Sequence, residues 1–412
     1  MNAPPWTVRP VPDEEWEAFR DVDAHAFGVG MPEDMEAQER ELHRGARGIG
    51  AYDAEVLAGI ATAFSFQVTV PGGAAVPAAG VSWVGVLPTH RRRGVLRALM
   101  THQLHAVHDQ GDEPLAILWA SEPVIYGRFG YGLASRAYNL DVPRSPTALQ
   151  AGAPDDPGLR LRLVDPADWK AFVPVYDAVA AARPGVVLRE EPWWQRAVRD
   201  LPSMRGGASP KRAVVAEDGD GVRAFALYRT EQHWDERFGK GDVTVQEAMA
   251  ADPAALAALY RYLFDLDLMG HATVRVAIDD PVLHWLTDAR SAKPSLADCL
   301  YVRLVDVPRA LAGRTYAADV DLVIEVRDDL CPWNAGTWRL RATAGDEATW
   351  APADDTPDLS MDVRELGAAY LGGTSVAELA GAGLVLERTP GAVTAASAAF
   401  AHHPAPWTSW VF

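Results

Sequence analysis

The stretch "VSWVGVLPTHRRRGVLRALMTHQLHAVHDQGDEPLAILWAS", residues 81–121, constrains the fold more than any other part of the chain. It opens on "VSWVGVLP", which reads as a strand that Pro88 ends, because proline cannot donate to a ladder. From about Gly94, the residues Leu96, Leu99, Met100, Leu104 and Val107 recur at helical spacing and form one apolar stripe. "GDEP" stops that helix. "LAILWAS" follows, a nearly all-apolar run of the kind found in strands buried on both faces. Strand, glycine turn, helix and strand in that order need a crossover connection, so the architecture is parallel or mixed α/β.

A chain of 412 residues is too long for one core, and two or three domains are expected. "GIGAYDAEVLAGIATAFSFQVTV" (48–70) reads as strand, turn, strand, and "PGGAAVPAAG" (71–80) as a turn-rich loop. "PRSPTALQAGAPDDPG" (143–158) has linker composition. Beyond it, "KRAVVAEDGDGVRAFALYRT" is a hairpin pattern around Asp-Gly, and "DVTVQEAM" and "ATVRVAI" are strands. Between those strands lies a helix with Asp252 as its N-cap and Pro253 in its first turn. This repeats the element order of the first part without repeating its sequence. From about Leu300 the pattern changes to short strands and short helices, a small α+β domain. The expected domains are therefore 1–150, 151–292 and 293–412.

The net charge of −18 argues against a nucleic-acid partner, since phosphate binding needs clustered Lys and Arg. It favours cationic partners, and it also serves plain solubility. Two cysteines, Cys299 and Cys331, are too few for a disulfide framework and suit a reducing compartment, so a cytoplasmic location is expected. The opening "MNAPPWTVRP" lacks the basic and apolar regions of a secretory signal, and no run of 18 apolar residues calls for a membrane span. The adjacent histidines of "AHHP" (401–404) read as surface or core residues, and no metal is expected.

Two short segments carry chemistry. The first is the turn Arg91, Arg92, Arg93, Gly94 between the strand with Val84 and Val86 and the helix. A helix N-terminus offers unpaired N–H groups and a favourable dipole, glycine lets a ligand approach the backbone, and arginines add charge. No Gly-Lys-Ser/Thr or G-x-G-x-x-G accompanies it, so it is neither a P-loop nor a dinucleotide fingerprint. Without a ligand, it is a solvated basic turn. The second segment is "ASEPVIYGRFGYG" (120–132), where Gly127, Gly130 and Gly132 interleave with Tyr126, Phe129 and Tyr131. Its aromatics either close the end of the sheet or face a ligand.

The first segment resembles the pyrophosphate loop of the GNAT N-acetyltransferase superfamily, Arg/Gln-x-x-Gly-x-Gly/Ala, at Arg91, Gly94 and Leu96; Leu96 departs from the usual small residue. Taken with the second segment about thirty residues later, the pair closely resembles the Eis (enhanced intracellular survival) family. The resemblance implies tandem GNAT-like domains with mixed sheets, followed by a sterol-carrier-protein-like α+β domain. It implies acetyl-CoA as cofactor. Val84, Gly85 and Val86 would pair with the pantetheine arm, and Arg92, Arg93, Gly94, Val95, Leu96 and Arg97 would cradle the pyrophosphate. Ala120 and Ser121 would contact the cofactor, and Tyr126 would be the general acid. The general base would be the carboxylate of the last residue, Phe412. Pro123-Val124 departs from the small residues of the family. The central domain would lack a cofactor loop, which fits "AADPAALAAL", where neither Arg nor Gly stands.

The resemblance further implies a homohexamer acting on polyamine-like cations, typically aminoglycosides acetylated at more than one amine. Asp23, Phe27 and Trp83 are the candidate acceptor-binding residues. Two other readings stay open: an acetyltransferase for protein lysines, and a lipid-binding protein using the C-terminal domain. The chain ends "HPAPWTSWVF", so its terminus is either packed as core or placed on purpose. A free α-carboxylate, with a pKa of about 3.5, is a weak base; burial against Trp407 and Trp410 would raise it.

Overall fold

The computed structural model describes residues 6–234 and 239–412, so the first five residues of the opening "MNAPPWTVRP", expected not to be a secretory signal, lie outside the described residues. In chain order, β1 (Thr7–Pro10) precedes helices α1 (Trp16–Phe27) and α2 (Glu33–Arg44) and strands β2 (Arg47–Asp53), β3 (Val56–Thr69) and β4 (Ala75–Val86). Helix α3 (Val95–Gln110) leads to β5 (Leu115–Leu118), the single turn α4 (Pro123–Tyr126), β6 (Gly132–Leu133) and β7 (Arg136–Pro143). Next come β8 (Arg160–Val164), α5 (Val173–Ala182), α6 (Glu191–Val198), β9 (Arg212–Asp218), β10 (Gly221–Glu231) and β11 (Gly241–Ala250). Helix α7 (Pro253–Phe264) joins this to β12 (Met269–Ala277), α8 (Val282–Trp285), β13 (Ser295–Asp298) and β14 (Tyr301–Leu304). The last part holds α9 (Val307–Ala312), β15 (Val320–Arg327), β16 (Gly336–Ala342), β17 (Ala348–Pro352), β18 (Leu359–Asp362), α10 (Val363–Ala369), α11 (Val376–Gly381), β19 (Val385–Glu387) and α12 (Ala392–Phe400).

The chain forms two compact units. One contains residues up to Ser135 together with Cys299–Pro406 and Val411–Phe412; the other contains Arg136–Asp298 and Trp407–Trp410. In the first unit a seven-stranded sheet has the order β1-β2-β3-β4-β5-β14-β6, and a five-stranded sheet has the order β17-β16-β15-β18-β19. Strand β14 lies antiparallel between β5 and β6, pairing Tyr301 with both Leu118 and Leu133. The crossover helix α3 buries Leu99, Met100, Leu104 and Val107 of the stripe expected from its spacing, while Leu96, its first member, is half-buried. Its C-cap Gly111 has φ +76°, and its N–H donates to the Val107 carbonyl.

Helix α10 docks on β6 and β14 at van der Waals distance because glycines remove the obstacles. A Cβ on Gly132 would run into the Arg364 carbonyl and the Ala368 amide, and one on Gly367 into the Val302 carbonyl. Behind this contact Arg303 of β14, fully buried, donates through Nη2 to both oxygens of Asp328 at 2.9 and 2.7 Å. Arg314 is buried too, donating to the carbonyls of Tyr370 and Phe400 and stacking on Tyr316 and Phe400. Cys299 and Cys331 are both buried and are not joined in a disulfide.

In the second unit another seven-stranded sheet has the order β13-β7-β12-β11-β10-β9-β8. The Asp-Gly hairpin is β9–β10, and α7 is the crossover between the parallel pair β11 and β12. Asp252 caps α7, its Oδ1 accepting from the N–H groups of Ala254 and Ala255 at 3.0 Å each. A buried pair, Arg189 with Glu247, sits under Tyr176, Trp194 and Trp410. Within this unit the Trp410 indole donates to the Tyr176 hydroxyl at 2.8 Å, and the Ser409 hydroxyl donates to Glu247.

Three expectations change. The 71–80 segment is not all loop: β4 starts at Ala75, because Ala78, Ala79 and Gly80 are small enough for the crowded centre of the sheet. A Cβ on Gly80 would strike the Phe66 ring. Sheet membership also changes at other places than residues 150 and 293. Strand β7 pairs with β12 and β13, and the Pro- and Gly-rich 143–158 stretch belongs to the second unit, where Leu149 bridges Leu286. Strand β14, assigned by sequence to the last domain, completes the first sheet. No helix among the described residues is long and apolar enough to cross a membrane.

Candidate active site

The site begins where two strands part. Strands β4 and β5 pair only at Ala78–Leu115, Ala79–Ala116 and Gly80–Ile117, while β4 continues to Val86. Its other edge carries a bulge: Ile60 pairs with Gly85 and Thr62 with Ser82, so two residues, Trp83 and Val84, face Ala61 alone. Trp83 sits at φ +47°, a strained conformation for a bulky side chain. Thus the outer half of β4 turns away from β5 and leaves an open cleft, and Val84, Gly85 and Val86 line it.

The turn after β4 completes one wall. Gly94 is the N-cap of α3 at φ +88°, and Arg92 stands at φ +61°. Space does not require the glycine, since a Cβ there would meet only the Trp6 indole nitrogen at 3.9 Å; its left-handed backbone does. The first N–H groups of α3 have no preceding helical carbonyl to bond, so this terminus offers donors of the kind an anion accepts from. Arg91, Arg92, Gly94, Val95, Leu96 and Arg97 all line the cavity. Arg93 does not: its guanidinium stacks over Trp6 and reaches Asp53 at 3.4 Å. Arg91 donates to the Ala26 carbonyl at 2.9 Å.

The opposite wall comes from α4 and the glycine-rich turn. Ser121 and Tyr126 line the cavity, whereas Ala120 lies beside it, packed on the core that also holds Tyr126. Tyr126 is buried, and burial, with a smaller contribution from Glu122, pushes its hydroxyl up to about 12. It packs edge-on against Tyr131, ring centroids 6.0 Å apart. The three glycines have a structural cause that local sequence does not display. A Cβ on Gly130 would stand 2.8 Å from the Arg303 guanidinium and 2.9 Å from Val363; one on Gly127 would stand 3.3 Å from Arg364. They let the C-terminal domain press against the turn that carries Tyr126. That domain therefore lines the same cavity through Arg327, Asp328, Asp362 and Arg364, none of which sequence reasoning selected. The whole space is about 1260 Å³.

Phe412 lies on the other face of β4. Ala79 and Val81 pack with Met100 and Leu104 of α3, while the alternate residues Gly80 and Ser82 face Phe412. The Ser82 hydroxyl donates to the Phe412 oxygen at 2.9 Å, and the Phe412 ring packs on Phe66 with centroids 4.9 Å apart. Phe27, 48% exposed, lines the cavity; Asp23 and Trp83 are not among its lining residues. Trp83 is the centre of an aromatic cluster with Trp16, Phe19, His43 and Phe64. Asp23 has a buried Oδ1 without a hydrogen-bond partner, and burial, then Glu39, raises its carboxyl to about 6. No group of three or more metal-ligating side chains occurs among the described residues.

A splayed parallel strand pair, an arginine–glycine turn at a helix N-terminus and a buried tyrosine in one cleft fit a class, the acyl-CoA-using GNAT acetyltransferases. Residues 7–134 match the acetyltransferase (GNAT) domain family, residues 185–304 match a second acetyltransferase (GNAT) domain family, and residues 307–409 match the sterol carrier protein domain. An uncharacterised N-acetyltransferase of Streptomyces avermitilis is 46% identical over 405 residues, 97% of this chain and 98% of that one. The N-acetyltransferase Eis of Mycobacterium tuberculosis is 34% identical over 370 residues, 88% of each chain. The crystal structure of Eis1 from Mycobacterium abscessus superposes with a TM-score of 0.82 at 33% identity, covering 99% of this chain and 100% of that one. The chain belongs to the Eis family of GNAT N-acetyltransferases.

Proposed function

We propose that this enzyme transfers an acetyl group from acetyl-CoA to amines of aminoglycosides or similar polyamine-like cations, directly and without an acyl-enzyme. The observation that carries the reading is the cleft itself, where β4 leaves β5 and the α3 N-terminus, Arg92, Arg97 and Tyr126 line one cavity. These residues fit the cofactor. The free edge of Val84–Val86 offers backbone groups to an extended amide arm, and the arginines and helix N–H groups suit a pyrophosphate. When bound, acetyl-CoA supplies an activated thioester.

The chain's own residues then manage two protons. The acceptor amine must lose one to bond to carbon. With Phe412 as the last residue, its α-carboxylate, held on β4 by Ser82, receives that proton. The departing thiolate must gain one, and Tyr126 Oη delivers it, its phenolate taking back the second proton that the nitrogen sheds once it has bonded to carbon. Because burial holds this hydroxyl near a pKa of about 12, it stays protonated through neutral pH and is ready to donate. Acidic charge over the chain, −18 in total, draws cationic acceptors toward the enzyme. In this reading the first GNAT part does the chemistry, the central part serves without a cofactor loop, and the sterol-carrier-like part brings the terminal carboxylate. A cytoplasmic homohexamer belongs to the same reading.

The test is a thiol-release assay with acetyl-CoA and a panel of aminoglycosides, linear polyamines and lysine peptides. Release is expected with the polycationic small molecules; release only with lysine peptides would move the function to proteins, and none with any amine would end the enzymatic reading. Tyr126→Phe is expected to lower turnover about a hundredfold while CoA affinity holds within twofold. An unchanged rate would remove Tyr126 from the proton-donor role.

A further inference from the structure

The cofactor cavity has a wall that the acetyl-transfer reading does not use. Strand β15 ends at Arg327, and the parallel ladder sets this residue beside Asp362 at the end of β18. Helix α10 starts immediately afterwards and carries Arg364 in its first turn. Both arginines line the cavity that also holds Tyr126 and the α3 N-terminus.

The carboxylates around them are largely committed elsewhere. Asp328 is neutralised by buried Arg303 and also accepts from the amide groups of Leu330, Cys331 and Asn334. Asp362 caps α10 by accepting from the Arg364 N–H at 3.0 Å. Buried Glu365 holds one edge of the Arg364 guanidinium, its Oε1 lying 2.7 Å from Nε and 2.6 Å from Nη2. The opposite edge is turned to the Tyr126 side: Nη1 lies 3.5 Å from where a Cβ on Gly127 would stand. Arg327 is exposed. Glu122 and Asp329 remain as lining carboxylates, against Arg327, the outer edge of Arg364 and Arg128.

An arginine whose inner edge is locked by a buried carboxylate is a pre-oriented fork for a second oxyanion, and the docking of α10 fixes its base. The cavity, about 1260 Å³, exceeds the usual size of a small-ligand pocket and reaches from the pyrophosphate wall to these residues. We propose that the C-terminal domain completes the cofactor site, with Arg327 and Arg364 holding the ribose 3′-phosphate of coenzyme A. The assignment rests on the acetyl-CoA reading and adds to it a second anion subsite built by a different domain. It gives the sterol-carrier-like domain a binding role in the cleft in addition to its terminal residue.

The experiment is calorimetric titration of the full chain with CoA and with 3′-dephospho-CoA, which differ only in that phosphate. The unaltered protein is expected to bind CoA about tenfold tighter or more. R327A, at an exposed residue, and the double variant R327A/R364A are expected to lose most of that preference while 3′-dephospho-CoA binds within twofold of its original affinity. R364K, which keeps charge but not the fork, should retain part of it. A double variant that keeps the full preference, or that weakens both ligands alike, overturns the assignment. Failure of the unaltered protein to bind either form would end the cofactor reading itself, and this assignment with it.

Discussion

Deleting Phe412, or adding a few residues after it, is expected to lower turnover with amines by about a hundredfold or more. The size follows from what a positioned proton acceptor contributes to amine acylation. It should appear in kcat, because in the proposed reading the acetyl donor is held by the Val84–Val86 edge of β4 and the α3 N-terminus, whereas Phe412 touches β4 at Gly80 and Ser82. CoA affinity should therefore stay within about twofold. The folded state should lose little from an added tail. Deletion removes one buried aromatic ring packed on Phe66 and costs about 2–4 kcal/mol of local packing. Comparing the two variants separates packing from chemistry. The extended chain keeps the ring and converts the carboxylate to an amide, so its turnover isolates the proton acceptor. Phe412→Leu supplies the complement, keeping the carboxylate while changing the ring, and should retain most of the rate. Full turnover by the extended chain would show that another group accepts the proton. The Ser82 hydroxyl at 2.9 Å predicts a further asymmetry, since Ser82→Ala removes one donor and should cost far less than losing the carboxylate.

Asp328→Ala is expected to be the most damaging single change to stability, about 3–5 kcal/mol by chemical denaturation. Arg303 has no access to water, and both oxygens of Asp328 are its partners. Removing the carboxylate leaves a guanidinium charged in a dry interior and also strips acceptors from the Leu330 and Cys331 amides and the Asn334 side chain. Against a total stability of about 5–15 kcal/mol, that is a large fraction. Replacing both partners by apolar residues of similar volume, Arg303→Met with Asp328→Leu, should recover a good part of the loss, because no charge is then stranded. A loss below about 1 kcal/mol for Asp328→Ala would mean that water reaches Arg303 and that the pair is not the fastening between β14 and the C-terminal domain.

Much of this was legible in residue order because it depends on near neighbours. The α3 stripe, the Asp252 cap and the Asp-Gly hairpin are each fixed within a few residues, and all three appear where the pattern places them. The turn 91–94 is local in the same sense: Gly94 is required by its own φ. What the order of residues hid depends on partners far away along the chain. Nothing near Gly130 or Gly132 announces that a helix some 230 residues later will lie against them. The extension of β4 through Ala75–Gly80 looks like a loop until Phe66 is seen filling the space above Gly80. The sequence offers Trp83 as an acceptor contact; that it also stands in a bulge of β4 and packs in an aromatic cluster depends on which residues α1 and α2 bring over it. Arg327 and Arg364 carry no motif, and only the docking of α10 brings them to the cleft.

The position of β14 between β5 and β6 has a consequence for how the protein is made. A ribosome delivers β5 and β6 early and β14 only after about 170 further residues have emerged. Until then the nascent first sheet has a missing rung between two finished neighbours, with the backbone groups of Leu115–Leu118 waiting for a partner. The last step of that sheet's folding is thus tied to the far end of translation. A messenger truncated anywhere before codon 304 would yield no closed first sheet, however complete the 91–94 turn and α3.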